Sequence, residues 1–214
     1  MNYRRGSKGE MVKQIQRALA GAGYAVITDG YYGIITEEAV KSFQMKSGLK
    51  PDGVVGPATL ARLIPARFKK SRRTIKEIII HCTATPEGRD MTVAQIRADH
   101  KKQGWSDIGY HYVVYRNGHV EPGRDVDIIG AHCTGHNTYS IGIAYVGGVE
   151  NKAGVPYAKQ KAKDTRTLAQ KAALLNLLME LRALYPYAKI YGHHDFEPTK
   201  DCPSFDAHRE YLKL

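Results

Sequence analysis

Val12, Ile15 and Leu19 follow "SKGE" at helical spacing and predict a first amphipathic helix, opened by a Ser7–Glu10 capping box. Ala39, Val40 and Phe43 mark the buried side of a second helix, and Leu60 to Ile64 a short third one ending near Pro65. Between them "TDGYYGIIT" and "PDGVVGPAT" repeat Asp-Gly-x-x-Gly-x-x-Thr at a period of 23 residues. Asp-Gly favours a tight turn, the second glycine tolerates a positive φ, and Thr36 and Thr59 are expected to cap the helices that follow. Residues 1–65 therefore read as a compact module of three small helices.

The period changes after residue 74. "KEIIIHC" carries three consecutive isoleucines and predicts a buried strand. "TVAQIRADHKKQG" predicts an amphipathic helix capped by Thr92, and "GYHYVVYRNGHVEPG" a hairpin turning at Asn-Gly. "YSIGIAYVGG" is a further strand, Asp164 to Tyr185 a long helix stopped by Pro186, and "AKIYG" a last strand. Strands alternating with helices plus one hairpin give an α/β fold with a mixed central sheet over 75–214, preceded by the small three-helix domain.

The chain has 214 residues, a hydrophobic content of 43% and a net charge of +11. Residues 1–65 carry +4, "ARFKKSRRT" (66–74) adds five basic residues without an acid, and the remaining chain carries +2. The positive field thus lies at the front and in an expected basic linker, which suits an anionic polymer. A nucleic-acid strand would call for aromatic residues among the Lys and Arg, and the linker offers only Phe68, so no nucleic-acid partner is expected. No apolar run approaches the roughly 20 residues of a membrane span, and "MNYRRGSKGEMVKQIQRAL" lacks the apolar core of a signal peptide. The chain is expected to be made in the cytosol. Three cysteines, Cys82, Cys133 and Cys202, give no disulfide framework, and the first two read as small buried hydrophobes.

The densest chemistry lies in "YGHHDFEPTKDCPSFD". His81 ends a buried strand, and the histidine pair follows another; if those strand ends are neighbours, His81, one of His193 and His194, and Cys202 can meet. Two imidazoles and a thiolate are competent zinc ligands and leave a fourth position open. The spacing matches no short metal motif, so from the residues alone scattered solvated histidines are the favoured reading.

Two resemblances sharpen this. "GSKGEMVKQIQRAL", "DGYYGIITEEAVKSFQ", "SGL" and "PDGVVGPAT" resemble the peptidoglycan-binding module of cell-wall enzymes. "IIHCTAT", "HKKQGWSDIGYHYVVYRNGHVEPGRD", "GAHCTGHNTYSIGIAYVGG" and "HHDFEPTKDCPSFD" resemble the phage zinc-dependent N-acetylmuramoyl-L-alanine amidases, which share their fold with peptidoglycan recognition proteins. The resemblance implies His81, His193 and Cys202 as ligands of Zn2+, Tyr110 and Lys200 as catalytic groups, and His132 as a substrate-binding residue lining the cleft. His193 lies nine positions before Cys202, where many phage members have eight; His194 lies at eight. Together with the basic surface, the two-part layout and the lack of a signal peptide, this suggests an endolysin that binds peptidoglycan and reaches the wall after release at lysis. A monomer is expected because each domain has its own core and a polymeric substrate needs no symmetric assembly. The competing reading is a recognition protein of the same fold that binds without cutting, and the presence of Cys202 argues against it. Glu121 and Asp195 rank below Tyr110 as proton-transfer groups, and His111, alternating with Tyr110, is expected on the opposite strand face. His100 is expected to be structural, and His119, His136 and His208 to lie on the surface.

Overall fold

A computed structural model describes residues 2–64 and 68–214. Residues 66 and 67 of the expected basic linker lie outside the described residues. The chain divides into two compact units, Met1–Phe68 with Met179–Pro186, and Lys69–Leu178 with Tyr187–Leu214. Among the described residues no helix is long and apolar enough to cross a membrane.

In the first unit α1 (Glu10–Gly21), α2 (Ile34–Lys46) and α3 (Pro57–Leu63) enclose Val12, Ile15, Leu19, Tyr32, Val40, Val55 and Leu63. The caps differ from the sequence expectation. Helix α1 starts after Gly9 without a side-chain cap, and the Ser7 hydroxyl accepts from the Arg4 amide instead. Thr36 and Thr59 lie inside α2 and α3 and face inward. What holds the two Asp-Gly turns is a pair of buried glutamines. The Gln16 amide nitrogen donates to Asp29 Oδ1, the Tyr31 carbonyl and Thr36 Oγ1, and its oxygen accepts from the Gly30 amide. Gln44 repeats this set with Asp52, Val54, Thr59 and Gly53. The repeat visible in the sequence is thus a repeat of one hydrogen-bond cage, and it gives the buried turn groups the partners water would otherwise supply.

The second unit is built on a five-stranded sheet. In chain order the elements after residue 68 are β1 (Glu77–Cys82), β2 (Thr85–Pro86), α4 (Val93–Lys102), β3 (Tyr112–Val114), β4 (Val120–Pro122), β5 (Ser140–Tyr145), β6 (Gly148–Val149), α5 (Leu168–Leu184, whose last turns from Met179 belong to the first unit), β7 (Lys189–Gly192) and α6 (Ala207–Glu210). The sheet order is β4-β3-β5-β1-β7; β4 runs antiparallel to β3, and the remaining pairs are parallel, while β2 and β6 form a small separate ladder. Parallel strands need both faces covered, which explains why Ile78, Ile79, Ile80, Ile141 and Ile143 are fully buried. Thr92 caps α4 with a capping box completed by Gln95, as its sequence predicts. Helix α5 begins at Leu168, later than Asp164, because Asp164 and Arg166 are drawn into an ion cluster with Glu210 around the buried Arg166 guanidinium. Residues 69–73 are fastened to this unit: Ser71 Oγ donates to the Val126 carbonyl, and Lys69 and Arg72 pair with Asp127.

Candidate active site

Register brings the first two site residues together. Strand β1 pairs with β7 in parallel, Ile80 facing Gly192, and each chain then continues by one residue, to His81 and to His193. The two imidazole centroids lie 4.5 Å apart. The chain leaves β7 through a short 3-10 turn over His193–Asp195 and returns at Cys202, where the thiol sulfur accepts the Cys82 amide at 3.2 Å. Buried Tyr145 of β5 donates its hydroxyl to the Pro203 carbonyl at 2.7 Å and pins the returning segment. One nitrogen from each of His81 and His193 and the Cys202 sulfur all lie within 4.8 Å of one another.

The electrostatics suit ligands that bind as neutral rings. Burial holds His81 well below the ordinary histidine range, reinforced by His132, His193 and the Lys200 ammonium. Burial lowers His193 in the same direction, against the pull of Glu197. The Cys202 thiol is pushed up by the Cys82 side chain beside it and by burial, against the opposing pull of the Cys82 amide, so a nearby cation is what would draw the proton off it. His193 Nε2 is buried without a hydrogen-bond partner; the Glu197 carboxylate is 3.4 Å away but out of line for one. An orphaned nitrogen beside a second imidazole and a thiol fits a cation-binding set better than it fits a packed core.

The remaining site residues gather around this group. The Tyr110 ring lies 5.2 Å from that of His81 and 5.5 Å from that of His100, and burial keeps its phenol protonated. His100 Nδ1 accepts the Gly109 amide at 3.0 Å and so holds the backbone just before Tyr110. Lys200 is exposed, with Nζ 3.5 Å from Glu197 Oε2. His194 does not join the cluster: its Nε2 lies 3.5 Å from Asp195. His132, expected to line the cleft, is instead buried, with Nδ1 3.1 Å from His81 Nε2 and Nε2 3.2 Å from the Ser140 hydroxyl.

Several sequence expectations are corrected here. Tyr110 and His111 do not face opposite ways, because regular β3 starts only at Tyr112 and the two residues before it are irregular backbone. Both rings come to the histidine cluster, His111 packing 5.7 Å from His132. His111 Nδ1 accepts the Gly142 amide, so its proton sits on Nε2 and goes to the Ile128 carbonyl. Glu121 accepts from the Tyr115 hydroxyl, and Asp195 accepts the Gly192 amide, so each is already engaged. His136 pairs with Glu77 at 2.9 Å and His208 with the Ile190 carbonyl at 3.0 Å; both are half-buried, whereas His119 is exposed. Glu197 was not singled out by sequence, although its spacing, four residues after His193 and three before Lys200, carried the signal.

Residues 8–63 match the family described as a peptidoglycan binding domain, and residues 71–205 match the family described as N-acetylmuramoyl-L-alanine amidase. An endolysin of Enterobacteria phage K11 is 43% identical over 143 residues, covering 67% of this chain and 89% of the relative. The endolysin of Escherichia phage T7 is 41% identical over 144 residues, covering 67% and 90%. Among solved structures, the endolysin N-acetylmuramoyl-L-alanine amidase LysCS from Clostridium intestinale superposes with a TM-score of 0.53 at 27% identity, covering 66% of this chain and 82% of that one.

Proposed function

This chain belongs to the N-acetylmuramoyl-L-alanine amidase family, and on that premise we propose that its hydrolysis runs at a zinc site formed by His81, His193 and Cys202. It is an enzyme of the endolysin type, cleaving the amide between N-acetylmuramic acid and the L-alanine of the stem peptide. The observation that carries the metal reading is the convergence of two neutral imidazoles and one thiol around an orphaned nitrogen. One ligand-to-ligand distance supports the reading. Tetrahedral coordination with Zn–N of about 2.0–2.1 Å and Zn–S of about 2.3 Å puts ligand N and S about 3.5 Å apart. His81 Nδ1 lies 3.8 Å from Cys202 Sγ.

Zinc, when bound, supplies a Lewis acid for a carbonyl and lowers the pKa of water to about 7. The protein's own groups do the rest. Amide hydrolysis develops negative charge on the former carbonyl oxygen. The Lys200 ammonium, exposed and facing the His81 ring and the Cys202 thiol as a positive charge, is a cation available to that charge. Tyr110, held as a neutral phenol, donates a hydrogen bond to the same region and can pass a proton toward the leaving amine. Glu197 holds Lys200 and limits its search among rotamers.

The first unit keeps the enzyme on peptidoglycan and raises its local concentration at the substrate. The protein works as a monomer on the cell wall after its release at lysis. The test is product analysis by mass spectrometry of digested purified peptidoglycan. Free L-alanine amines with intact glycan strands are expected from the wild type, and none from Cys202→Ser, which should still sediment with walls. Retained cleavage by that variant would remove Cys202 from the mechanism.

A further inference from the structure

Strand β5 carries a glycine between two buried isoleucines, Ile141 and Ile143. A Cβ on Gly142 would lie 2.4 Å from Cδ2 of His132, and a Cβ on Gly130 would lie 2.5 Å from the same atom. Two separate chain positions therefore omit a side chain where this one imidazole sits. The ring so housed is 7% exposed. Its backbone is held as well: Asn137 Oδ1 accepts the His132 and Cys133 amides at 2.8 and 3.0 Å. Arg73 then donates to the carbonyls of Asn137, Thr138 and Ser140, at 3.2, 3.2 and 3.1 Å, and fixes the segment that supplies both Asn137 and Ser140.

Only one placement of protons satisfies all the ring contacts if His81 is a ligand. Its Nδ1 faces Cys202 Sγ, so the lone pair for a cation is on Nδ1 and the proton is on Nε2. That proton is donated to His132 Nδ1, 3.1 Å away, which must then be an acceptor. The His132 proton is consequently on Nε2 and is donated to Ser140 Oγ at 3.2 Å. Both nitrogens of His132 are thereby engaged inside the protein, and neither is left to contact a substrate.

We propose that His132, backed by Ser140, is a positioning residue that fixes the ring orientation and tautomer of His81 for the metal, in place of the cleft role its sequence suggested. The proposal rests on the zinc reading above. An imidazole ligand whose distal N–H has a fixed acceptor does not have to be ordered when the metal arrives, and loss of such a partner typically weakens metal affinity by about 10–100-fold. The housing explains the glycines, the Asn137 clamp and the otherwise purposeless burial of a polar ring by one cause.

The test is zinc affinity of the full chain, by competition with a chromophoric chelator, for the parent, His132→Leu, His132→Asn and Ser140→Ala. Asn puts Oδ1 near the position of Nδ1 and keeps an acceptor for His81, whereas Leu does not. The expected result is zinc bound about 10–100-fold more weakly by His132→Leu, with most of the loss recovered in His132→Asn and a smaller loss in Ser140→Ala. Affinity in His132→Leu within twofold of the parent, combined with a raised KM, would overturn the proposal and return His132 to the substrate. Should His132→Leu fail to fold, Ser140→Ala decides: unchanged affinity there overturns the relay. Zinc binding by the parent chain tests the metal reading separately, so failure of that reading is distinguishable from failure of this one.

Discussion

Replacing Gln44 by alanine should unfold the wall-binding module far more readily than its position on a small helix suggests. The Gln44 side chain is 1% exposed, and its amide serves four groups: Asp52 Oδ1, the Val54 carbonyl and Thr59 Oγ1 at 3.0 Å, and the Gly53 amide at 2.9 Å. Asp52 reaches solvent and can rehydrate, and Thr59 Oγ1 keeps the Val54 carbonyl at 3.5 Å, but the Gly53 amide is buried and loses the acceptor Gln44 gives it. A buried group left without a partner costs about 1–3 kcal/mol. The matched region spans residues 8–63. A module of that size has a total stability of about 3–8 kcal/mol, so the loss is a large fraction of the whole. Amide hydrogen exchange on the full chain reads it directly. Protection of the Gly53 amide and of the α2 amides should fall by about tenfold, about 1.4 kcal/mol. Wall sedimentation should fall with it, while cleavage of a small soluble muropeptide stays unchanged. A loss of protection below about twofold would refute the claim that the glutamine cage holds the turns.

Lys200→Met should lower kcat by about 10²–10³, the usual effect of removing one oxyanion-stabilising donor, with zinc content unchanged; steady-state kinetics beside metal analysis check both halves. Gly142→Ala places a carbon 2.4 Å from the His132 ring, an overpacking that should cost about 1–3 kcal/mol in thermal unfolding and also weaken zinc binding. Acid should loosen the C-terminal segment. Burial raises the Asp164 and Glu210 carboxyls, but hydrogen bonds from Arg166 outweigh it and hold both below their ordinary values. Depressed carboxylates stabilise the fold above the unfolded pKa of about 4 and lose that contribution as pH falls through their lower folded values. Hydrogen exchange in α6 should therefore rise below about pH 4 and show no such rise between pH 5 and 8.

The parts of this structure that are local in sequence were legible, and the parts that depend on distant partners were not. Three isoleucines before His81 announced a buried strand and the run before His193 announced another. That the two strands are neighbours, so that the histidines meet, was not in the periodicity and came with the family resemblance. The two Asp-Gly turns were legible too. Their glutamines were not, because Gln16 and Gln44 look like ordinary helix residues until the turns 13 and 8 positions later fold back onto them. Thr36 and Thr59 were misread as caps for the same reason, since each hydroxyl goes to a glutamine outside its own helix. The burial of His132 was hidden because its housing comes from Gly130, Gly142 and Ser140, none of which announces a ring between them. Alternation misplaced His111 because it assumes a strand two residues before one begins.

The central claim is that His81, His193 and Cys202 hold one catalytic zinc, and elemental analysis paired with hydrolysis tests it most directly. Protein purified in the presence of zinc, then dialysed, should carry one zinc per chain and release L-alanine amines from peptidoglycan. A chelator should remove both together and added zinc should restore both, while His81→Ala, His193→Ala and Cys202→Ser should each carry less than a tenth of the parent's zinc. Hydrolysis that persists in a protein stripped of metal, or full zinc content in the Cys202→Ser variant, would contradict it.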